Sequence, residues 1–174
     1  MRILFTGGGT GGHFFPIIAV AREVKRIAEE NMIIDLDLYY LGPSDSGKSL
    51  VLKTEGINEI KIMAGKMRRY FSVKNFLDIF KIAFGFLQTL WSFFFIMPDI
   101  VFSKGGYGAL TSVVCCFIFR IPLIIHESDS IPGKVNIFSV RFAERIGIAF
   151  PSVAKFFPKE KTAMVGIPIR KNII

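Results

Sequence analysis

Short apolar runs alternate with amphipathic stretches along this chain of 174 residues. Apolar runs of about four to eight residues between turn residues are typical of buried strands, whereas apolar positions three or four residues apart indicate helices. The pattern predicts strands at residues 1–6, 33–41, 57–63, 100–103, 123–126, 145–149 and 163–165. It predicts helices at residues 16–30, 49–55, 75–97, 109–119 and 135–141.

This alternation predicts the fold class. Strands that alternate with helices form a parallel sheet with helices on both faces, so we expect a Rossmann-like α/β fold. A chain of this length is large enough for one domain with a hydrophobic core. We assign residues 1–165 to that domain and residues 166–174 to the start of a linker.

The first predicted strand runs into a turn, Gly7–Gly12, in which five of the six residues are glycine. Glycine lets backbone N–H groups approach a phosphate, and the helix that follows favours negative charge at its N-terminus. The turn therefore predicts a phosphate-type ligand, although its spacing is not the dinucleotide pattern G-x-G-x-x-G. His13 lies at the mouth of this site, one turn before the predicted helix is established. It is a candidate proton acceptor near neutral pH, and a local structural role for it stays open.

Two more loops with candidate chemistry follow predicted strands. One contains Gly105 and Gly106, and the other spans residues 126–133. Because the carboxyl ends of parallel strands lie on one edge of a sheet, these loops and the first glycine turn converge. The sequence therefore predicts a single ligand site at this edge.

A P-loop pattern provides a competing interpretation. The segment Gly42-Pro-Ser-Asp-Ser-Gly-Lys48-Ser49 matches G-x-x-x-x-G-K-S, in which Lys48 meets nucleotide phosphates and Ser49 a magnesium ion. Pro43 removes one backbone N–H from the cradle, and Gly56 breaks the helix after about two turns. We therefore interpret the match as a coincidence, and binding of a nucleoside triphosphate is the least favoured hypothesis.

Composition adds a preference for anionic partners. Lys and Arg number 22 against 14 Asp and Glu, which gives a formal net charge of +8. The hydrophobic share of 51% and the mean hydropathy of +0.47 are high for a soluble protein. Such a balance suits an anionic membrane surface, nucleic acid or a polyphosphate ligand and does not choose among them. The amino terminus does not have the pattern of a signal peptide.

The sequence indicates neither a disulfide nor a metal. Cys115 and Cys116 are adjacent in an apolar stretch, which is poor disulfide geometry, so we expect reduced core residues. Asp35 and Asp37 form an Asp-x-Asp pair, but both fall within a predicted strand. We expect no metal ion and no cofactor.

The segment of residues 76–97 approaches the roughly 20 residues that span a bilayer. Asp78, Lys81 and Gln88 interrupt it, and a spanning helix would place the two glycine loops on opposite sides of a membrane. We expect the helix to lie in the membrane interface with basic residues that meet anionic lipid, and a buried core helix is the alternative. The residues expected at the membrane are Arg68, Arg69, Phe76, Ile79, Ile82, Phe86 and Trp91.

Four segments of the chain form a set. The first is Gly8-Gly-Thr-Gly-Gly-His-Phe-Phe-Pro16 with the Ile-Ile-Ala-Val-Ala that follows, and the others are Pro98–Tyr107, Ile121–Glu127 and Val165–Arg170. In this order they resemble segments of the MurG family of glycosyltransferases, which add N-acetylglucosamine to the lipid-linked muramyl-pentapeptide precursor of peptidoglycan. The resemblance spans the whole chain but only the N-terminal half of the usual family length. It implies the N-terminal, acceptor-binding half of a GT-B glycosyltransferase of family 28, without the half that binds UDP-N-acetylglucosamine.

The resemblance also implies roles for individual residues. His13 matches a proposed base for the attacking sugar hydroxyl, and Glu127 is the rival candidate. The implied reaction is an inverting transfer in which the hydroxyl displaces UDP and no metal is needed. The residues implied to bind substrate are Thr10, Gly11, Gly12, Lys104, Gly105, Gly106, Tyr107, Asp129, Asn136 and Arg170.

Three segments depart from the family pattern. The family's His-Glu-Gln-Asn reads His126-Glu-Ser-Asp129, and Asp129 adds a negative charge that would repel a diphosphate. Lys104 stands where an apolar residue is usual, and we expect it to supply extra charge for the acceptor pyrophosphate. Gly166-Ile-Pro168 replaces Gly-Asn-Pro and lacks its polar side chain.

Two functions stay open. In the first, the chain is the acceptor half of a transferase that converts undecaprenyl-diphospho-muramoyl-pentapeptide (lipid I) to lipid II, inactive without a half that binds UDP-N-acetylglucosamine. In the second, it is a non-catalytic membrane-recruiting subunit that binds a polyprenyl-diphosphate sugar beside a separate catalytic chain. We expect a peripheral position on the cytoplasmic face of the cell membrane. The expected partners are a lipid-linked sugar diphosphate and an anionic membrane surface, without nucleic acid.

Overall fold

The computed structural model describes residues 1–8, 11–43, 46–65 and 73–168, without the side chains of residues 73–77. Four predicted site residues lie outside the described residues, namely Thr10, Arg68, Arg69 and Arg170. The side chain of Phe76 also lies outside them.

Seven parallel strands form one sheet in the described part of the chain, in the order β3-β2-β1-β4-β5-β6-β7. The strands are β1 Arg2–Thr6, β2 Asp37–Gly42, β3 Asn58–Lys61, β4 Ile100–Ser103, β5 Leu123–Glu127, β6 Arg145–Ile148 and β7 Thr162–Met164. The parallel α/β fold and all seven predicted strands are confirmed.

The strand order reverses at β1, because β2 and β4 lie on its two sides. β1 pairs with β4 up to Thr6 and Ser103, so the loops that follow these two residues begin side by side. In open α/β sheets such a reversal leaves a crevice outside the carboxyl ends of the strands, where ligands bind.

Helices cover both faces of the sheet. They are α1 Gly11–Glu30, α2 Ser46–Thr54, α3 Val73–Ile96, α4 Leu110–Phe119 and α5 Lys134–Ser139, with short 3-10 helices at Tyr107–Ala109, Pro151–Phe156 and Lys159–Lys161. Successive strand residues point to opposite faces. Ile3 and Phe5 accordingly pack in the core with α1 and α2, whereas Leu4 packs in the core that contains residues of α3 and α4.

The two cysteines belong to the second of these cores. Cys115 and Cys116 are free and buried, as the sequence predicts. Burial raises the pKa of both thiols, that of Cys115 to about 12, which makes them unreactive core residues.

Two element boundaries differ from the prediction by four residues or more. α1 begins at Gly11 rather than at Pro16, so His13 lies within the first turn of the helix and not ahead of it. A proline this close to the helix start removes only one early hydrogen bond. β2 begins at Asp37 rather than at Ile33, because the N–H of Ile33 donates to a carbonyl in the last turns of α1 (2.8 Å).

Candidate active site

Two glycine loops meet at the switch between β1 and β4. Gly106 has a φ of 79° and a ψ of 170°, and a Cβ on it would lie 2.7 Å from Cα of Gly8. Gly105 has a φ of 78°, and a Cβ there would lie 2.3 Å from Oδ1 of Asn136. Only glycine adopts the Gly106 conformation without strain. The loop at Gly105 and Gly106 therefore carries no side chain at these two residues, and its backbone lies directly against the loop that contains Gly8.

His13 lies between these loops in the first turn of α1. Cβ atoms built on Gly8 and Gly106 would lie 3.3 and 3.6 Å from its ring, which is half-buried. Nδ1 of His13 is 3.3 Å from the backbone carbonyl oxygen of Lys104. Because a carbonyl only accepts, this contact assigns the hydrogen to Nδ1 and the lone pair to Nε2. Nε2 is therefore the nitrogen that can take a proton from a ligand.

Glu127 ends β5 with its side chain buried. Oε1 accepts the N–H of Asp129 at 2.9 Å. Oε2 accepts the N–H of Gly133 at 2.8 Å and Nδ2–H of Asn136 at 2.9 Å. Three donors on one carboxylate hold the loop after β5 against the start of α5. This geometry gives Glu127 a structural part in the site.

Lys104 follows β4, and its side chain contacts the loop after β5. The residue is 1% exposed, and Nζ donates to Oγ of Ser128 at 2.6 Å. Burial lowers the pKa of the Lys104 ammonium, while the carboxylates of Glu127 and Asp129 act in the opposite direction. Asp129 is exposed at the same edge, with Oδ1 3.4 Å from Oγ of Ser128. The ammonium is therefore directed into the loop after β5.

His126 is a residue of this edge to which the sequence analysis assigned no role of its own. Nε2 donates to the carbonyl of Gly166 at 2.9 Å, and the ring stacks on Phe102 with centroids 6.4 Å apart. Nδ1 is buried and has no hydrogen-bond partner among the described residues. Burial lowers the pKa of this imidazole. The histidine ties the segment after β7 to β5. Its signals in the sequence were its position at the end of an apolar run and its match to the family's His-Glu pair.

The remaining described candidates lie at the same edge. Gly11 and Gly12 are exposed in the first turn of α1, where backbone N–H groups have no intrahelical partner. Tyr107 begins the short helix before α4 and is half-buried. Asn136 is buried in α5, and its Nδ2 also lies 3.3 Å from the carbonyl oxygen of His126. The structure thus brings together the three loops that the sequence predicted to converge.

The P-loop candidate has other contacts. Nζ of Lys48 lies 5.9 Å from the centroid of the Phe14 ring, and Oγ of Ser49 donates to Oε1 of Glu59 at 3.0 Å. Both side chains are therefore engaged with neighbouring elements of the fold. In the described ranges no cluster of three or more His, Cys, Asp or Glu side chains is arranged to hold a metal ion.

α3 combines an apolar surface with a packed side. Residues Asp78–Ile96 have a mean hydropathy of 1.6, and 17% of the residues in this apolar stretch are buried. By length and composition this helix could cross a membrane. Thr89 and Phe93 are fully buried, and Oγ1 of Thr89 donates to Oγ1 of Thr111 in α4 at 3.0 Å. The exposed apolar face of α3 consists of Ile79, Phe80, Phe84, Leu87, Trp91, Phe94 and Phe95.

The residues expected at the membrane differ in how far α3 exposes them. Ile79 and Trp91 are exposed by 55% and 68%, as a membrane contact requires. Ile82 and Phe86 are half-buried instead, and Phe86 packs against the core. α3 is apolar on more than one side, so the sequence did not specify which side faces outward.

The fold and the site together define a class of protein. A parallel sheet covered on both faces, with glycine loops at the switch in strand order, is the architecture of the N-terminal half of GT-B glycosyltransferases. Residues 3–148 match the Glycosyltransferase family 28 N-terminal domain, and the chain belongs to this family.

Two curated relatives match almost the entire chain. A protein of Bacillus cereus is 35% identical over 173 residues, which cover 99% of this chain and 47% of the relative. A protein of Clostridium tetani is 36% identical over 172 residues, which cover 99% and 46%. Both are named UDP-N-acetylglucosamine--N-acetylmuramyl-(pentapeptide) pyrophosphoryl-undecaprenol N-acetylglucosamine transferase, the former with the suffix 2. The chain spans about half the length of these relatives.

Solved structures show the same fold. Acinetobacter baumannii MurG superposes with a TM-score of 0.73 and 24% identity, over 98% of this chain and 46% of that protein. Anabaena HepE in complex with UDP and glucose gives a TM-score of 0.65 and 15% identity, over 99% and 46%.

Proposed function

We propose that this chain is the acceptor-binding half of an inverting N-acetylglucosaminyltransferase of peptidoglycan synthesis. The donor is UDP-N-acetylglucosamine, the acceptor is undecaprenyl-diphospho-muramoyl-pentapeptide, and the reaction converts lipid I to lipid II. The observation that carries the proposal is the position of His13 between two glycine loops at the β1–β4 switch. The names of the curated relatives support the choice of substrates.

In this proposal His13 is the general base. Nε2 accepts the proton of the acceptor's sugar hydroxyl while the hydroxyl oxygen attacks the anomeric carbon, and UDP leaves with the bonding electrons. The hydrogen bond from Nδ1 to the Lys104 carbonyl holds the tautomer that this step needs and stabilises the imidazolium that forms.

The glycine loops supply the site for the acceptor diphosphate. The first-turn N–H groups of α1, at Gly11 and Gly12, lie at the positive end of the helix dipole. Gly105 and Gly106 let a phosphate approach the main chain without obstruction by a side chain. We assign the uridine mainly to the half of the transferase that this chain does not contain.

The exposed apolar face of α3 supports a peripheral position on the cytoplasmic face of the membrane. One side of α3 is packed on the protein, and a helix of this kind can insert its other side into the lipid interface. The sequence places Arg68 and Arg69 shortly before α3, where basic residues attract anionic headgroups.

The test is a transfer assay with and without a donor half. The C-terminal half of the Clostridium tetani relative is fused to residue 174, and transfer of labelled N-acetylglucosamine to lipid I in vesicles is measured. We expect the fusion to transfer the sugar and the unfused chain to transfer none, because we assign the uridine to the part of the relatives that the 174 residues do not cover.

Two other results would contradict the proposal. Transfer by the unfused chain would show that no second half is needed. A fusion that retains lipid I binding but transfers nothing, while the intact relative is active, would favour the non-catalytic recruiting subunit.

A further inference from the structure

Lys104 connects the two sides of the candidate site. Its backbone carbonyl accepts from Nδ1 of His13 at 3.3 Å, and its own N–H donates to the carbonyl of Thr6 at 2.9 Å. Its ammonium donates to Oγ of Ser128 at 2.6 Å. One residue thus joins the first turn of α1, the end of β1 and the loop after β5.

The Lys104 ammonium is buried, and burial of a charge is costly unless an opposite charge lies nearby. The carboxylates that favour its charged form are those of Glu127 and Asp129. Glu127 already accepts three hydrogen bonds from loop and α5 groups, whereas Asp129 is exposed and reaches Lys104 through the Ser128 hydroxyl. Glu127 exerts the larger attraction on the ammonium, and Asp129 is the carboxylate that hydrogen bonds through one side chain, Ser128, join to Lys104.

Two of the departures from the family pattern, Lys104 and Asp129, thus lie close together at this edge. Asp129 taken alone adds a negative charge to an edge that is assigned to a diphosphate. Lys104 taken alone is a buried cation. Linked by Ser128, the charges of Lys104 and Asp129 offset each other, while the buried carboxylate of Glu127 adds its own negative charge to this edge.

We propose that Lys104 is a positioning residue that neutralises Asp129 and holds the loop after β5 at a set position relative to His13, so that this edge can admit a diphosphate. The inference rests on the proposed function for the identity of the ligand. The coupling between Lys104 and Asp129 is a property of the chain itself and can be measured without any activity.

The experiment is a double-mutant cycle on the 174-residue chain with Lys104→Met, Asp129→Asn and the double variant. Methionine matches lysine in length and removes the charge, and asparagine is isosteric with aspartate. The probes are inorganic pyrophosphate and vesicles that contain undecaprenyl diphosphate, and the readouts are Kd and Tm. Lys155→Met, which removes an exposed lysine between β6 and β7, controls for the change in net charge.

The expected signs differ between the two readouts. Lys104→Met leaves Asp129 unbalanced and weakens pyrophosphate binding, by about tenfold for a unit charge roughly 10 Å away at an effective dielectric constant of about 20. Asp129→Asn leaves the ammonium unbalanced, so binding tightens by a similar factor while Tm falls by roughly 2–4 °C. In the Lys104→Met background Asp129→Asn leaves Tm unchanged. The double variant binds pyrophosphate more tightly than Lys104→Met but less tightly than the wild type, because the bond to Ser128 that positions the loop is still absent.

Three results would overturn the inference. If Asp129→Asn lowers Tm equally with and without Lys104, the two residues are not coupled. If Lys104→Met changes Tm but leaves pyrophosphate affinity intact, Lys104 has a purely structural part. If the wild type binds neither probe, the proposed function fails together with the positioning role, and the Tm cycle alone decides whether the charges are paired.

Discussion

His126 of β5 donates from Nε2 to the carbonyl oxygen of Gly166 at 2.9 Å, a bond that joins the middle of the sheet to the segment after its last strand. The ring has Phe102 on one side, and its Nδ1 is buried. Such an imidazole is held in its neutral form, because protonation would place a charge in a site with little water.

The first prediction is that stability falls in acid because of His126. Burial lowers the pKa of His126 in the folded protein. Its contribution to the free energy of unfolding is therefore complete above the unfolded pKa of about 6.5 and is lost as pH falls through the folded pKa. His126→Gln retains a donor for Gly166 but does not titrate, so we expect its Tm to change less than that of the wild type between pH 7 and pH 5. Thermal melts across this range measure the difference.

Parallel melting curves for the wild type and His126→Gln would contradict the assignment.

The second prediction concerns the base. In a fusion with a donor half, His13→Ala should lower turnover by about 10²–10⁴-fold and leave acceptor affinity nearly unchanged, because a base acts on the proton in transit. Glu127→Gln should weaken stability and acceptor binding instead, since glutamine has one acceptor oxygen where Glu127 uses two. Steady-state kinetics separate the two effects. Near-full turnover of His13→Ala with none in Glu127→Gln would reverse the assignment.

The third prediction compares two glycines. Gly106→Ala should lower the free energy of unfolding by about 1–3 kcal/mol, because the conformation is one that alanine adopts only with strain and its Cβ would meet Gly8. Gly12→Ala is the control, since a Cβ there meets nothing within 4 Å and the residue is helical. We expect Gly12→Ala to be neutral or stabilising by about 0.4–1 kcal/mol. Urea titrations give both values, and equal losses would contradict the interpretation of the second loop.

The fourth prediction tests the membrane surface. Replacing both Leu87 and Trp91 by Gln should weaken co-sedimentation with anionic vesicles by tenfold or more, since burial of one large apolar side chain contributes about 1.5–3 kcal/mol. Ile34→Gln is the control, because Ile34 is 94% exposed but lies outside α3. High salt should also release the protein, because ions screen surface charge. Binding that resists salt and both substitutions would indicate a spanning helix or non-specific adhesion.

The fifth prediction is that Lys48→Ala leaves nucleotide binding unchanged. Lys48 lies over the Phe14 ring, and Ser49 is bonded to Glu59, so neither is arranged for phosphate and magnesium. Titration of ATP and GTP against both proteins is the measurement. A tenfold loss of affinity in the variant would restore the P-loop interpretation.

The elements of this fold were predictable because their patterns are local. Apolar runs between turn residues marked every strand, and β4 was predicted to the residue. The two boundaries that were predicted wrongly depend on neighbouring residues in the chain. Ile33 is hydrogen-bonded to the last turns of α1, and α1 begins at Gly11, ahead of Pro16.

The site was predictable as a place but not as a set of contacts. The convergence of the glycine loops follows from parallel strands alone. The bond from Lys104 to Ser128 and the one from His126 to Gly166 join different strands, and no local pattern reports such a pair. For α3 the difficulty was orientation, because Phe84 and Phe86 are equally apolar in sequence and differ only in which side packs on the sheet.

Under the proposed function, the direction of α3 sets the distance between the membrane and the site that a lipid-linked acceptor must reach. Gly65, just after β3, lies against Asp78 and Ile82, whereas the carbonyl of Ile96 accepts from Arg2 at the start of β1. The first turns of α3 are therefore at the same end of the molecule as the glycine loops. If the apolar face of α3 rests on a bilayer, the mouth of the cleft lies beside the lipid headgroups, and a sugar diphosphate can enter while its polyprenyl chain stays in the membrane.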